Sequence, residues 1–445
     1  MEMDKQSVVS YALDAARKAG ADGSDITFIT SSSTDIQVRL GAVESAERAE
    51  DFQLGLRVFC GQQSASVSTG QLDTDNIDAL CERVVAMAKA APKDPFARLA
   101  RADEQAGELP SIELCDQTEL SAEQLTEIAQ ECEAAARAET GITNSDGSSA
   151  SAGKTQVLIA TSTGFMADYE RSSFGFSAVV LAERDGQMER DYDYSSSVFA
   201  EDLRAPAEVG RRAAERTLSR LGAKKPETGH YPVIFDTRVS RSLAGHFASA
   251  INGAAIARGT SFLKDNLGQK IASETVNIID DPLKARGAGS RLFDGETLPV
   301  SRQYLMKEGV IQSWLLDLST AAQLDMAPTG HASRSLSGPP HPSVSNLMIA
   351  DTQMDIGDMI ADIKNGFLVT ELMGSSVSLT TGDYSRGAAG FWIENGQISW
   401  PASEATIASN LSEMFASMQP ANDSDHTQSI SAPSLFIPQM MVAGA

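Results

Sequence analysis

Basic residues are scarce in this 445-residue chain: 36 lysines and arginines stand against 60 aspartates and glutamates, for a formal net charge of -24. No Lys/Arg stripe offsets the deficit locally, so a phosphate backbone meets a repelling field and nucleic acid is excluded as a direct partner. The acidity itself reads as solubility in a crowded cytoplasm. Cysteine is scarce as well. Cys60, Cys81, Cys115 and Cys132 all lie in the first third and none forms a C-x-x-C pair, which excludes a disulfide framework and a zinc ribbon. Cys81 and Cys132 sit in helix-like runs and read as small core residues. No apolar run approaches the ~20 residues that span a bilayer. The opening Met-Glu-Met-Asp-Lys-Gln lacks a basic stretch followed by an apolar one, so no signal peptide is read there. The expected location is the cytoplasm, with no membrane partner.

Catalytic signatures are also missing. There is no P-loop and no G-x-S-x-G elbow. The five histidines are His230, His246, His331, His341 and His426. No two of them stand one helical turn apart, the spacing a helix-borne zinc site needs.

What is present is a long globular chain. At 445 residues it should hold more than one core. The first half alternates helices and strands. Ser7 to Ala19 and Asp75–Ala90 are amphipathic helices, the second with Ile77, Leu80, Cys81, Val84, Val85 and Ala88 on one face. Asp25–Thr30 and Asp35–Leu40 read as paired strands, and Phe52–Phe59 with Ser64–Ser68 as a hairpin. A polar connection from Pro92 to about Thr118 follows. Ser121 caps a helix to about Ala138, with Gln124 placed for a capping box. Thr155–Ala160, Gly175–Ala182 and Gln187–Tyr194 read as strands, and Pro206 to Leu221 as a helix. Lys224 to Gly229, polar with Pro and Gly, is the best boundary. Beyond it come many short strands and glycine turns, with helices only at about Arg238–Ala255 and Met354–Lys364. The expected class is α+β. Residues 1–225 form a domain of helices and antiparallel strands, with a subdomain break near 92–118. Residues 230–445 form a β-rich, barrel- or sandwich-like domain.

Several segments look like sites. Thr380 to Gly390 packs an Asp, a Tyr, an Arg and three glycines together as a glycine-rich loop. It runs into a hairpin, with Phe391-Trp392-Ile393 and Gln397 to Trp400 flanking a Glu394-Asn395-Gly396 turn. Asp383 and Arg386 read either as a buried pair holding this loop or as contacts to a peptide backbone. His331 and His341 bracket a hydroxyl- and proline-rich stretch containing Arg334, a ligand-facing element. Asp280-Asp281-Pro282 reads as turn chemistry more than as an acid–base pair. His246, alone among small residues on a helix, reads as a packed or interface histidine.

Four blocks then combine: Gly259 to Gln269, Ile278 to Pro282, Thr329 to Arg334, and Gly382 to Glu394. Together they resemble the TldD/PmbA family, in its PmbA branch, also called TldE. The closing Met441 to Ala445 is similar to that branch's usual ending. The motifs concentrate in residues 230–445, and the first half matches in its order of elements.

The resemblance implies a heterodimeric protease system in which the TldD-type subunit holds zinc on an H-E-x-x-x-H helix, with a further cysteine ligand. Aligned on the Gly259-Thr260-Ser261 block, this chain has Ala244 at the first histidine, Gly245 at the glutamate and Ser249 at the second histidine. No cysteine follows Cys132. The resemblance therefore implies a zinc-free subunit with no catalytic residue and no cofactor of its own. Zinc is expected in a TldD-type partner, and unfolded or leader peptides are the expected substrates. A homodimer is allowed when the partner is absent. His246, His331, Arg334, Asp383 and Arg386 are the candidates for the cavity or interface. The family's older description, modulator of DNA gyrase, does not imply DNA contact at this charge. The competing expectations are a peptide-binding scaffold without proteolytic role, and a stand-alone hydrolase using Asp280, Asp281, His331 or Asp383.

Overall fold

Ile26, Phe28 and Ile36 are buried along one face of a single strand, β1 (Gly23–Arg39). The two strands expected at Asp25–Thr30 and Asp35–Leu40 are thus one. Its middle, Thr30 to Thr34, is serine and threonine, so the pleat continues while the apolar signal fades. Strands β2 (Ala42–Cys60), β3 (Gln63–Thr69), β4 (Ile142–Thr161), β5 (Met166–Arg184) and β6 (Gln187–Ser197) complete an antiparallel sheet in the order β3-β2-β1-β4-β5-β6. The computed structural model describes residues 4–444.

Two helix pairs cover one face of this sheet, at opposite ends. Helices α1 (Lys5–Lys18) and α2 (Thr74–Ala90) bury Val9, Ala12, Ile77 and Val84 against Ile26, Leu54, Leu56 and Leu158. Helices α3 (Ala122–Arg137) and α4 (Pro206–Ser219) bury Leu125, Cys132, Val209 and Ala213 against Ile36, Ala150, Phe176 and Val180. Asp4 and Asp73 cap α1 and α2, and Ser121 with Gln124 forms the full capping box on α3. Burial pushes the Cys81 thiol up to about 11 and that of Cys132 to about 12, so both stay neutral core groups.

The C-terminal part is built on a closed barrel. Strand β7 (Gly229–Phe235) pairs with the strands Asn365–Val377 and Leu435–Ala443. Asp383–Glu394 and Gln397–Asn410 continue the order, and the last of these returns to Leu435–Ala443 to close the ring. The glycine-rich segment is accordingly strand from Asp383 onward, not loop. Its glycines serve strand contact. A Cβ at Gly390 would overlap the Leu368 carbonyl where a bulge leaves Thr370 unpaired.

Helix α5 (Thr237–Ala250), capped by Asp236, follows β7 and stops earlier than its pattern suggests. Asn252 then caps a short second helix, Gly253–Ala257. The helix expected over Met354–Lys364 covers Ile356–Ala361. Val239, Leu243 and Phe247 of α5 join Phe235, Phe367, Val369 and Trp392 in one core. Among the described residues, no helix is long and apolar enough to cross a membrane.

The two parts meet across the sheet's other face. Arg57 on β2 donates through Nε and Nη2 to Oδ2 of Asp25 at 2.9 and 2.6 Å. Arg334, from the C-terminal part, faces the second Asp25 oxygen. Glu296 Oε1 lies 3.8 Å from Arg57, and its Oε2 accepts the Leu318 N–H at 2.7 Å. All four side chains are buried. Beside them Leu336 lies so close to β2 that a side chain at Gly55 would overlap its backbone. Buried charge persists only when paired, so this cluster fixes the seating of the two parts.

Burial pushes the Glu296 carboxyl up to about 8, against the pull of Arg57. Between its ordinary value of 4.5 and about 8, the folded chain holds a proton that the unfolded chain has lost. That contribution is full below 4.5 and is lost as pH rises toward 8. Glu296→Gln keeps the acceptor for Leu318 and removes the titration. The variant should gain stability relative to the parent as pH rises from 5 to 8, by at most ~1.4 kcal/mol per pH unit. Urea denaturation midpoints of the two proteins across that range check it; a pH-independent difference would exclude the assignment.

Candidate functional site

Helix α5 has two stripes. Val239, Leu243 and Phe247 face the core, while Arg238, Arg241, Ser242 and Gly245 repeat at i, i+3, i+4 and i+7 on the other side. This polar stripe lines a cleft of about 580 Å3, together with Tyr192 of β6, Thr370 to Leu372, Arg386 and Gln428 to Ile430. Both parts of the chain therefore contribute to it.

A strand edge opens into the cleft. β7 pairs with Asn365–Val377 only through Phe367, Leu368 and Val369. Beyond Phe235 the chain turns into α5, so on that side residues 370–372 have no strand neighbour among the described residues. The bulge at Thr370 marks the place where the edge becomes free.

The charges around the cleft are largely matched. Arg238 holds Asp191 at 2.8 Å and stacks its guanidinium 4.8 Å from the Tyr192 ring centre. Arg220 pairs with Glu371 at 2.6 Å and with Glu189 at 3.2 Å. Arg204 and Arg216 share Asp193. Arg241 and Arg386 are exceptions. Arg241 reaches only the Tyr194 hydroxyl, at 3.4 Å, and Arg386 donates from Nε to the Met373 carbonyl at 3.3 Å. Neither has a carboxylate partner among the described residues.

His246 lies next to this stripe. Its Nε2 is buried without a hydrogen-bond partner, and its ring sits edge-on to Tyr384 at 6.0 Å. Burial, with Arg386 adding to it, holds its pKa below the ordinary histidine value. The Tyr384 hydroxyl is also buried and unpartnered, and burial pushes its pKa up. The donors here do not fit a zinc ion. Ala244 carries no ligand atom, Gly245 has no side chain, and the Ser249 hydroxyl is bonded to the Gly245 carbonyl at 2.9 Å. Among the described residues no three His, Cys, Asp or Glu side chains converge.

The other candidates from sequence are scattered. Asp383 and Arg386 form no pair. Three residues apart on an extended strand they point to opposite faces, and Asp383 accepts instead from Thr381 at 2.6 Å and Asn410 at 3.4 Å. His331 is 2% exposed. It sits with Nδ1 2.8 Å from Thr329 and Nε2 3.5 Å from Asp280, so it is not presented to a ligand. Asp280 is not turn chemistry: it is a buried acceptor for the Ser345 N–H and hydroxyl, at 2.8 and 2.7 Å. Asp281 does cap the following turn, at Leu283. Arg334 lies in the junction cluster, away from the cleft. Sequence reading passed over Arg238, Arg241, Glu371 and Gln428. The stripe 238-241-242-245 was the available signal.

The C-terminal domain of the PmbA/TldA metallopeptidases matches residues 228–444, their central domain residues 115–221, and their domain 1 residues 24–88. The chain is 34% identical over 441 residues to Metalloprotease PmbA of Escherichia coli O157:H7, covering 99% of this chain and 96% of that protein. The chain belongs to the PmbA branch of the PmbA/TldD family. Its fold is similar to a crystal structure from Bacteroides thetaiotaomicron described as a modulator of DNA gyrase (TM-score 0.92, 26% identity, all of both chains). TldE from Thermococcus kodakarensis has the same fold at 18% identity (TM-score 0.87, 98% of this chain and 100% of that one).

The geometry separates scaffold from cleft. Asp25→Ala strands two buried guanidiniums and should cost about 3–5 kcal/mol. Arg386→Gln removes one long hydrogen bond and should change stability by less than about 0.5 kcal/mol. Chemical denaturation of both variants checks the contrast; equal losses would contradict it.

Proposed function

We propose that this chain is the zinc-free subunit of a heterodimeric PmbA/TldD-type metallopeptidase, acting with a TldD-type partner on unfolded or leader peptides. The observation that carries the reading is α5 itself. The cleft beside it and the free strand edge at 370–372 are present, while Ala244, Gly245 and Ser249 occupy the places where the family resemblance puts ligand, base and ligand.

In this role the chain binds and orients. The edge at 370–372 offers backbone N–H and C=O groups to an extended peptide, which reads main chain rather than side chains and accepts many sequences. A folded protein has few free strands to offer. Zinc, which would supply the water activation for cleavage, would be held by the partner, while this chain's residues bind and orient the peptide. The charge of -24 turns nucleic acid away.

The test is a cleavage assay on an unstructured peptide. Purified alone, the chain should leave the peptide intact. Co-expressed with a TldD-type subunit it should co-purify with it, and the mixture should cleave in a chelator-sensitive way. Chelator-resistant cleavage by the pure chain would overturn the reading. A stable complex that never cleaves would favour a peptide-binding scaffold instead.

A further inference from the structure

Arg241 and Arg386 come from different elements, α5 and the strand Asp383–Glu394, yet both line the same cleft. Several arginines of the chain, Arg212 among them, also lack a carboxylate partner among the described residues; Arg241 and Arg386 are set apart by lining one cleft together. The neighbouring arginines show how readily the fold supplies a carboxylate: Arg204, Arg216, Arg220 and Arg238 each hold an aspartate or glutamate. The acid nearest Arg386 in the cleft lining, Glu371, is already held by Arg220. Asp423 and Asp425, which share an adjoining pocket with Arg241, accept from Ser434 and Thr427 rather than pairing with it, so the cleft keeps two arginines without a carboxylate partner among the described residues.

Other groups there complement a peptide. Gln428 donates its amide N–H to Ser196 at 2.9 Å, which leaves its carbonyl oxygen to accept. Ser242 donates to the Val239 carbonyl at 2.6 Å, so its oxygen retains acceptor capacity. The free edge at 370–372 runs along the same cleft. Arginine suits a carboxylate because its planar fork makes two parallel charge-assisted hydrogen bonds.

We infer that Arg241 and Arg386 form a carboxylate-binding subsite, which anchors one end of a peptide lying along the edge at 370–372. The carboxylate is either the peptide's C-terminal group or an acidic side chain. The inference rests on the reading that this cleft receives peptide, and it does not require that the chain pair with a zinc subunit. A bound carboxylate would replace the missing counter-ion of both arginines, in a cleft where water competes less than at the open surface.

Binding is measured on the full chain alone, by fluorescence anisotropy, so cleavage plays no part in the readout. Three fluorescein-labelled probes of one Gly/Ser/Ala hexapeptide separate the sources: a free C-terminal acid, the C-terminal amide, and the amide with one internal glutamate. The free acid should bind, and the plain amide should bind about ten- to a hundredfold more weakly, as for loss of charge-assisted hydrogen bonds. If the internal glutamate restores binding, the subsite accepts side-chain carboxylates; if it does not, it selects the C-terminus. Arg241→Gln and Arg386→Gln should each weaken the free acid by about tenfold and shrink the gap between acid and amide. The probe comparison on the unaltered chain stands even if a variant fails to fold. Equal binding of acid and plain amide, no binding of the acid, or variants that keep the full gap would each overturn the inference. A chain that binds the acid yet forms no active complex with a TldD-type subunit would keep this subsite and discard the protease role.

Discussion

A single buried carboxylate governs how this molecule is put together. Asp25 lies on the first strand of the large sheet and faces Arg57 from the same sheet and Arg334 from the C-terminal part. Removing it leaves two guanidiniums without their shared carboxylate away from water, so the two parts are held in one relative position. The cleft depends on that position. Tyr192 and Asp191 come from the sheet, Arg238, Arg241 and Gln428 from the C-terminal part, and their alignment makes one cleft from two surfaces.

The second constraint is local. β7 is short because Asp236 caps α5 directly after Phe235. The longer strand beside it therefore runs on without a neighbour on that side among the described residues, and the bulge at Thr370, allowed by Gly390, marks where pairing with β7 ends. A free edge is a liability in most proteins. Here it lies in a cleft beside α5.

Local rules made much of the fold legible in sequence. The capping box at Ser121 and Gln124, the stripe on α2 and the hairpin turn at Asn395-Gly396 depend on residues a few positions apart, and those readings match the structure. The continuity of β1 was hidden because Thr30 to Thr34 keeps the strand period without apolar residues to show it. The pairing of Asp383 and Arg386, one of the two readings of this segment, requires a loop; strand geometry separates them. The partners of Arg334 and His331 lie hundreds or tens of residues away, at Asp25 and Asp280, and no local pattern carries that information. Of the arginines that line the cleft, the family blocks contain Arg386 but neither Arg238 nor Arg241.

The central claim is a division of labour, with peptide contacts on this chain and the metal on another. Zinc content is its most direct measure. Elemental analysis of a purified complex between this chain and a TldD-type subunit should give one zinc per pair of chains, and the isolated chain should give none above background after dialysis. Stoichiometric zinc in the isolated chain, or two per pair, would contradict the account.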